Sequence, residues 1–165
     1  MKGKVFKTVA VSGGFDPIHI GHVRMILDAG YHGDVIVILN SDEWLQEKKG
    51  YVFMPFEERK SILEAFSDVH HVVGVDDSDG TVCAALDQIR PCYFGNGGDR
   101  VSDNVPEVKF CKNYGIGLVW NLGGNKIQSS SNLVTHAKDY DYKDNDLKQH
   151  NDPKNPFRLE IGGEG

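Results

Sequence analysis

Two histidines three positions apart, His19 and His22, follow a glycine pair in the run Gly13-Gly14-Phe15-Asp16-Pro17-Ile18-His19-Ile20-Gly21-His22. At the start of a helix that spacing puts both imidazoles on one face. Each can donate a hydrogen bond to an oxygen that gains negative charge during a group transfer. Gly13 and Gly14 let the backbone approach a phosphate closely. The first turn of a helix adds unpaired N–H groups and the positive end of its dipole. The run therefore holds the parts of a site for phosphate chemistry, with Phe15, Asp16 and Gly21 built into it. A capped helix carrying two incidental histidines is the plainer reading. The order strand, glycines, histidines favours the site.

A second run, Ile127-Gln128-Ser129-Ser130-Ser131-Asn132-Leu133, places consecutive hydroxyls ahead of a helix. Ser129, Ser130 and Ser131 are good helix caps, and together they form a second anion site. A third run, Gly95-Asn96-Gly97-Gly98-Asp99-Arg100, follows a short strand and reads either as a tight turn or as a ligand loop. His70 and His71 are assigned no role. Asp76, Asp77 and Asp79 lack the glycine and terminal glutamate of a calcium loop.

The elements that must position these runs alternate between strand and helix. Thr8–Ser12 reads as a buried strand ended by the glycines, and Ile20 to about Ala29 as a helix with Ile20, Val23, Ile26 and Leu27 on its apolar side. Asp34–Leu39 is a continuous apolar strand of the kind buried on both faces of a parallel sheet. Asn40–Gly50 reads as a polar loop, with Lys48 and Lys49 in it. Pro55 opens a helix over Phe56–Phe66. His70–Val75, Cys92–Phe94 and Leu118–Asn121 complete the strands; Thr81–Ile89, Pro106–Tyr114 and Ser129–His136 complete the helices. This alternation predicts an α/β fold, a Rossmann-like open parallel sheet with helices on both faces. All three runs then fall at the carboxyl ends of strands, where such sheets bind ligands.

Composition narrows the function classes. The 165 residues carry a formal net charge of −6, which disfavours a nucleic-acid partner. The longest apolar run is strand length, well short of the ~20 residues of a membrane span. With no leader pattern either, the expected compartment is cytoplasmic. Cys83, Cys92 and Cys111 form no CxxC pair and read as reduced thiols. Residues 1–137 read as one domain and 138–165 as a polar tail. In that tail Phe157, Leu159 and Ile161 alternate as in a strand that docks on its own body or on a partner. A homodimer is the expected state.

The first run resembles the His-x-Gly-His signature of the cytidylyltransferase-like nucleotidyltransferases, and the resemblance spans about Thr8 to Leu133. It implies a nucleoside triphosphate, CTP or ATP, as donor and a small sugar or polyol phosphate as acceptor, with Mg²⁺ as the metal. His19 and His22 would stabilise the α-phosphate during in-line displacement by the acceptor, without a protein nucleophile. Ser129–Ser131 would grip the β- and γ-phosphates. Lys48 and Lys49 resemble lysines that approach the phosphates. Arg59, after Pro55-Phe56-Glu57-Glu58, resembles an arginine that holds the loop or a phosphate. Gly97, Gly98, Asp99 and Arg100 resemble the Gly-Gly-Asp segment of heptose-1-phosphate adenylyltransferases, which usually carry lysine where this chain has Asn96. Asp16 would assist the metal through water. Pantetheine-phosphate and nicotinamide-mononucleotide adenylyltransferases normally place an arginine soon after the serines, and none follows Ser131 here. A nucleotide-binding module without turnover is the alternative from another class.

Overall fold

Val35-Ile36-Val37-Ile38-Leu39 has no polar side, so it is stable only between two apolar layers. The computed structural model describes residues 6–98 and 105–139 and places this segment inside a parallel sheet. The strands are β1 (Thr8–Gly13), β2 (Asp34–Leu39), β3 (Val69–Gly74), β4 (Tyr93–Gly97) and β5 (Gly117–Leu122). The helices are α1 (Ile20–Gly30), α2 (Asp42–Lys49), α3 (Phe56–Glu64), α4 (Cys83–Ile89), α5 (Pro106–Tyr114) and α6 (Ser130–Asp139). The strand order is β3-β2-β1-β4-β5, and every pairing is parallel. A first compact unit ends at Leu133, and the description below concerns that unit. The proposed docking segment Phe157–Ile161 lies outside the described residues.

Strand alternation separates two cores. Val9 and Val11 of β1, with Val35, Val37 and Leu39 of β2, pack against Met25, Ile26 and Ala29 of α1 and Leu63 of α3. Ala10 and Ile38 face the other way, onto Ala85 and Leu86 of α4 and Cys111 of α5. The order reverses between β1 and β4, so their carboxyl ends open a crevice at the switch point. Gly13-Gly14 and Gly97-Gly98 stand on its two sides.

Three expectations are corrected. Asn40–Gly50 is not a loop throughout, because α2 occupies Asp42–Lys49. Ser41 accepts the Trp44 N–H as N-cap, Asp42 and Glu43 begin the helix, Lys48 and Lys49 end it, and Gly50 closes it with φ 78°. The second concerns β4, which does not stop at Phe94 but runs to Gly97. The third concerns α1. Its buried side is Met25, Ile26 and Ala29, whereas Ile20 and Leu27 are exposed. His22 lies on the buried side, three positions before Met25.

A polar network fixes the carboxyl rim. Arg59 is only 1% exposed, so it is neither a surface arginine nor open toward solvent. Its Nη1 donates to the Gly14 carbonyl (2.7 Å) and the Asn40 carbonyl (3.0 Å), at the ends of β1 and β2. Nε donates to the Met54 carbonyl (2.9 Å), and Nη2 pairs with Asp42 at 2.5 Å. Asp16, fully buried, accepts the Phe53 and Met54 N–H groups at 2.7 and 2.6 Å. Asp77 accepts from Asn40 Nδ2, Ser41 N and Ser41 Oγ at 2.9, 2.9 and 2.6 Å. Arg59→Ala would strand three carbonyl acceptors at once, one buried and two part-buried. Each costs about 1–3 kcal/mol when orphaned, so chemical denaturation should report a loss of at least ~3 kcal/mol. A loss below ~1 kcal/mol would show that the rim does not depend on this guanidinium.

Candidate active site

The site begins with the way α1 starts. His19 is the N-cap: its Nδ1 accepts the Gly21 N–H at 3.0 Å. His22 returns the favour, its Nδ1 accepting the His19 N–H at 3.2 Å. The arrangement is a capping box built from two imidazoles rather than from a hydroxyl and a carboxylate. The rings stack with centroids 3.8 Å apart, and His22 also rests 4.7 Å from the ring of Phe15. Phe15 is itself buried and held at φ 50°, a conformation that non-glycine residues rarely adopt.

Because each Nδ1 accepts a backbone N–H, a neutral ring must carry its proton on Nε2. Both histidines are disposed to be neutral. Burial, with the charges of Lys49 and Lys126, lowers the pKa of His19. Burial, His19 and Lys49 push His22 down to about 3. The pair therefore offers two neutral Nε2–H donors at a helix N-terminus.

Both rings line a cleft of about 330 Å³ over the switch point. Gly13, Gly14, Phe15 and Gly21 line it from the β1–α1 turn; Gly97 and Gly98 line it from the end of β4; Ser129, Ser130 and Ser131 line it from the start of α6. Ser129 caps α6, its Oγ accepting the Asn132 N–H at 3.1 Å. Ser130 donates to the Pro17 carbonyl at 2.8 Å and so ties the two helix starts together. Asp28 of α1 accepts the Gly123 N–H at 2.8 Å, a second tie between α1 and the loop after β5.

The two lysines of α2 part company. Lys49 is half-buried, lines the cleft and donates to the Asp16 carbonyl at 3.2 Å. Its pKa is lowered, chiefly by burial, against the pull of Asp16. Lys48 is exposed, does not line the cleft, and lies over the Trp44 ring at 5.7 Å. Asp16 and Arg59 stand behind the cleft and are spent on the backbone contacts described above. The Asp16 carboxylate faces two N–H groups, which leaves it poorly placed to reach a metal. Asp99 and Arg100 lie outside the described residues.

Two cleft residues had no motif to announce them, Trp44 on α2 and Lys126 in the loop before α6; Asn96, of the third run, lines the cleft from β4. Asn96 is 7% exposed, and its Nδ2 has no hydrogen-bond partner among the described residues. The glycine at 98 has a concrete cause. A Cβ there would collide with the Gly124 carbonyl, so only glycine lets the β4 and β5 loops close on each other. No aspartate or glutamate is among the described residues lining the cleft. Among the described residues no cluster of three or more His, Cys, Asp or Glu could hold a metal ion, and no helix is long and apolar enough to cross a membrane.

The sequence model of the cytidylyltransferase-like family matches residues 10–136. The bifunctional protein HldE of Geobacter sulfurreducens is 33% identical over 133 residues, which is 78% of this chain and 26% of that protein. The FAD synthase of Ferroglobus placidus is 32% identical over 97 residues, 59% of this chain and 62% of its own length. The chain thus spans about a quarter of the first relative and under two thirds of the second. Among solved structures, a lipopolysaccharide core biosynthesis protein from Thermoplasma volcanium superposes with a TM-score of 0.63 at 16% identity, over 73% of this chain and 99% of that one. At that identity the likeness speaks for the fold alone.

The histidine geometry has a consequence for pH. The fold lowers His22 to about 3, so as pH drops below 6.5 the unfolded chain takes up this proton first. The stability it contributes is complete above pH 6.5 and is lost as pH falls toward 3. Between pH 6.5 and 5, unfolding free energy should decline, and less steeply in His22→Gln. Imidazole nitrogen NMR at pH 7 should show both rings as the Nε2–H tautomer. A charged His22, or the Nδ1–H tautomer, would contradict the capping arrangement.

Proposed function

Because this chain belongs to the cytidylyltransferase-like family of nucleotidyltransferases, we propose that it transfers a nucleoside monophosphate from CTP or ATP to a small sugar or polyol phosphate. The observation that carries this reading is the stacked pair of neutral Nε2–H donors at the start of α1, set in one cleft with the serine start of α6.

In this reading an oxygen of the acceptor phosphate forms a bond to the α-phosphorus. The bond from that phosphorus to the bridging oxygen breaks, and pyrophosphate departs with the electron pair. His19 and His22 donate to the α-phosphate oxygens as charge accumulates on them. The N-terminal end of α6, with Ser129–Ser131, receives the β- and γ-phosphates. Lys49 offsets the repulsion between two anionic reactants. The acceptor attacks directly, and among the described residues no cysteine lines the cleft to intercept the nucleotide.

Mg²⁺ fits as the counter-ion of the triphosphate. Among the described residues the cleft offers it hydroxyls and carbonyls but no carboxylate, so the phosphates themselves would be its main ligands. Bound there, it would neutralise and orient the phosphate chain.

Pyrophosphate release should therefore appear with CTP or ATP in a panel of sugar and polyol phosphates. His19→Ala and His22→Ala should each lower kcat by at least ~10²-fold with little change in nucleotide affinity. Unchanged turnover in both variants would end the mechanism, and the absence of any productive pair would end the transferase reading. Excess EDTA should abolish turnover, and mass spectrometry during turnover should find no nucleotidylated protein. Light scattering of the full chain tests the proposed homodimer, which a single-chain mass at micromolar concentration would exclude.

A further inference from the structure

Trp44 belongs to none of the three sequence runs, yet this half-buried residue lines the cleft. It stands in the first turn of α2, where its backbone N–H donates to the Ser41 cap at 3.0 Å. Its neighbour Leu45 is fully buried and anchors the helix. The indole borders the glycine turn: its Cζ3 lies 3.7 Å from where a Cβ on Gly14 would stand. Phe15, the other benzenoid ring of the described lining, is 2% exposed and packs against His22. Among the described lining residues Trp44 is thus the one benzenoid side chain open to a ligand.

In-line displacement decides which reactant meets this ring. The entering and leaving oxygens stand on opposite sides of the α-phosphorus. In the transfer reading the pyrophosphate leaves toward the serines that follow β5. The helix carrying Trp44 follows β2. In the order β3-β2-β1-β4-β5, those two strands flank the β1–β4 switch point from opposite sides. The acceptor accordingly enters from the α2 side. Lys49 lines the cleft there, five residues after Trp44. That separation is about 7.5 Å along a helix axis, enough for a phosphate at the lysine and its carbon skeleton at the indole.

An aromatic wall does not treat all such skeletons alike. A closed sugar ring presents a preformed face of C–H groups to an indole, whereas an open chain must freeze several rotors to cover the same surface. We infer that Trp44 is the acceptor platform of the cleft and selects a closed-ring sugar phosphate over an open-chain polyol phosphate. This rests on the transfer reading above and narrows its acceptor class. Lys48, outside the described lining, holds its ammonium 5.7 Å from the centroid of the indole and steadies it from the surface of α2.

The test sets aldose 1-phosphates, whose rings are locked closed, against glycerol 3-phosphate, using the full chain with CTP or ATP. The parent should favour the closed rings by at least ~10-fold in kcat/KM. Trp44→Ala should raise the aldose phosphate KM by at least ~10-fold and erase the preference, with the nucleotide KM unchanged. Trp44→Phe should retain most of both. If the alanine variant fails to fold, Trp44→Leu, which keeps apolar bulk without an aromatic face, carries the same expectation. Calorimetry of nucleotide binding should match the parent in every variant, a readout that a merely structural Trp44 would move. A parent that favours the open chain would overturn the inference. So would a Trp44→Ala variant with an unchanged acceptor KM, or with a raised nucleotide KM in its place; the transfer reading would survive either result. If no pair gives product, the transfer reading falls, and the emission of Trp44 decides the platform. The chain has two tryptophans, so Trp120→Phe leaves Trp44 as the single reporter. A change in its emission on adding aldose 1-phosphate keeps the platform, and no change with or without nucleotide removes it.

Discussion

One buried guanidinium joins the ends of two neighbouring parallel strands. Parallel strands finish side by side with their last carbonyls directed into loops, where nothing in the sheet pairs them. Arg59 gathers the carbonyls of Gly14 and Asn40, and with them Met54 and the Asp42 carboxylate. A planar, permanently charged fork is suited to this, because it donates in several fixed directions at once. Asp16 answers from the other side by receiving the backbone of Phe53 and Met54. The Gly13–Gly14 turn, the start of α2 and the approach to α3 are thereby fixed relative to one another. The histidine pair inherits its position from that frame.

The cleft in front of the frame handles charge differently. Its charged residues behind the wall are paired or capped, while its described lining combines lysines, hydroxyls, backbone and neutral imidazoles. The imidazoles stay neutral because burial and adjacent ammonium groups both resist protonation. A protonated Nδ1 would also turn its hydrogen toward a backbone N–H that already donates to it. The capping bonds thus select the tautomer, and the tautomer leaves a donor available. Donor geometry and helix initiation are one arrangement here, which is why His19 and His22 cannot be considered apart from the first turn of α1.

Much of this was legible in the sequence, for identifiable reasons. Asp34–Leu39 announced itself because a segment apolar on both sides has few other places to go. The β1–α1 turn was legible because its glycines, histidines and helix start are contiguous. The second helix escaped notice because Leu45 is its only buried residue, leaving no apolar period to read. Its signature was in the caps, Ser41 and Gly50, and in acidic and basic ends. The fourth strand was cut short because glycines usually punctuate strands. Here a Cβ at Gly95 would press on the Leu122 and Val11 side chains, and Gly98 is required by the Gly124 backbone. Arg59 resembled an arginine that holds the loop or a phosphate, and only its tertiary acceptors show it buried against the loop carbonyls. Lys126 and Trp44 carry no local pattern, since their place in the cleft comes from neighbours distant in the chain.

The bond from Ser130 to the Pro17 carbonyl joins residues 113 positions apart, and the one from Gly123 to Asp28 spans 95. On a ribosome the chain is made from its amino end, and domains acquire structure as they emerge. The histidine turn is synthesised early, but the wall opposite it is the last part of the first compact unit to be made. A nascent chain that has exposed only its first hundred residues has the sheet's central strands and one wall of the cleft, and no second helix start to complete it. Closure of the cleft is therefore a late event in the synthesis of each molecule. The cleft is complete only when the unit that forms it is nearly whole.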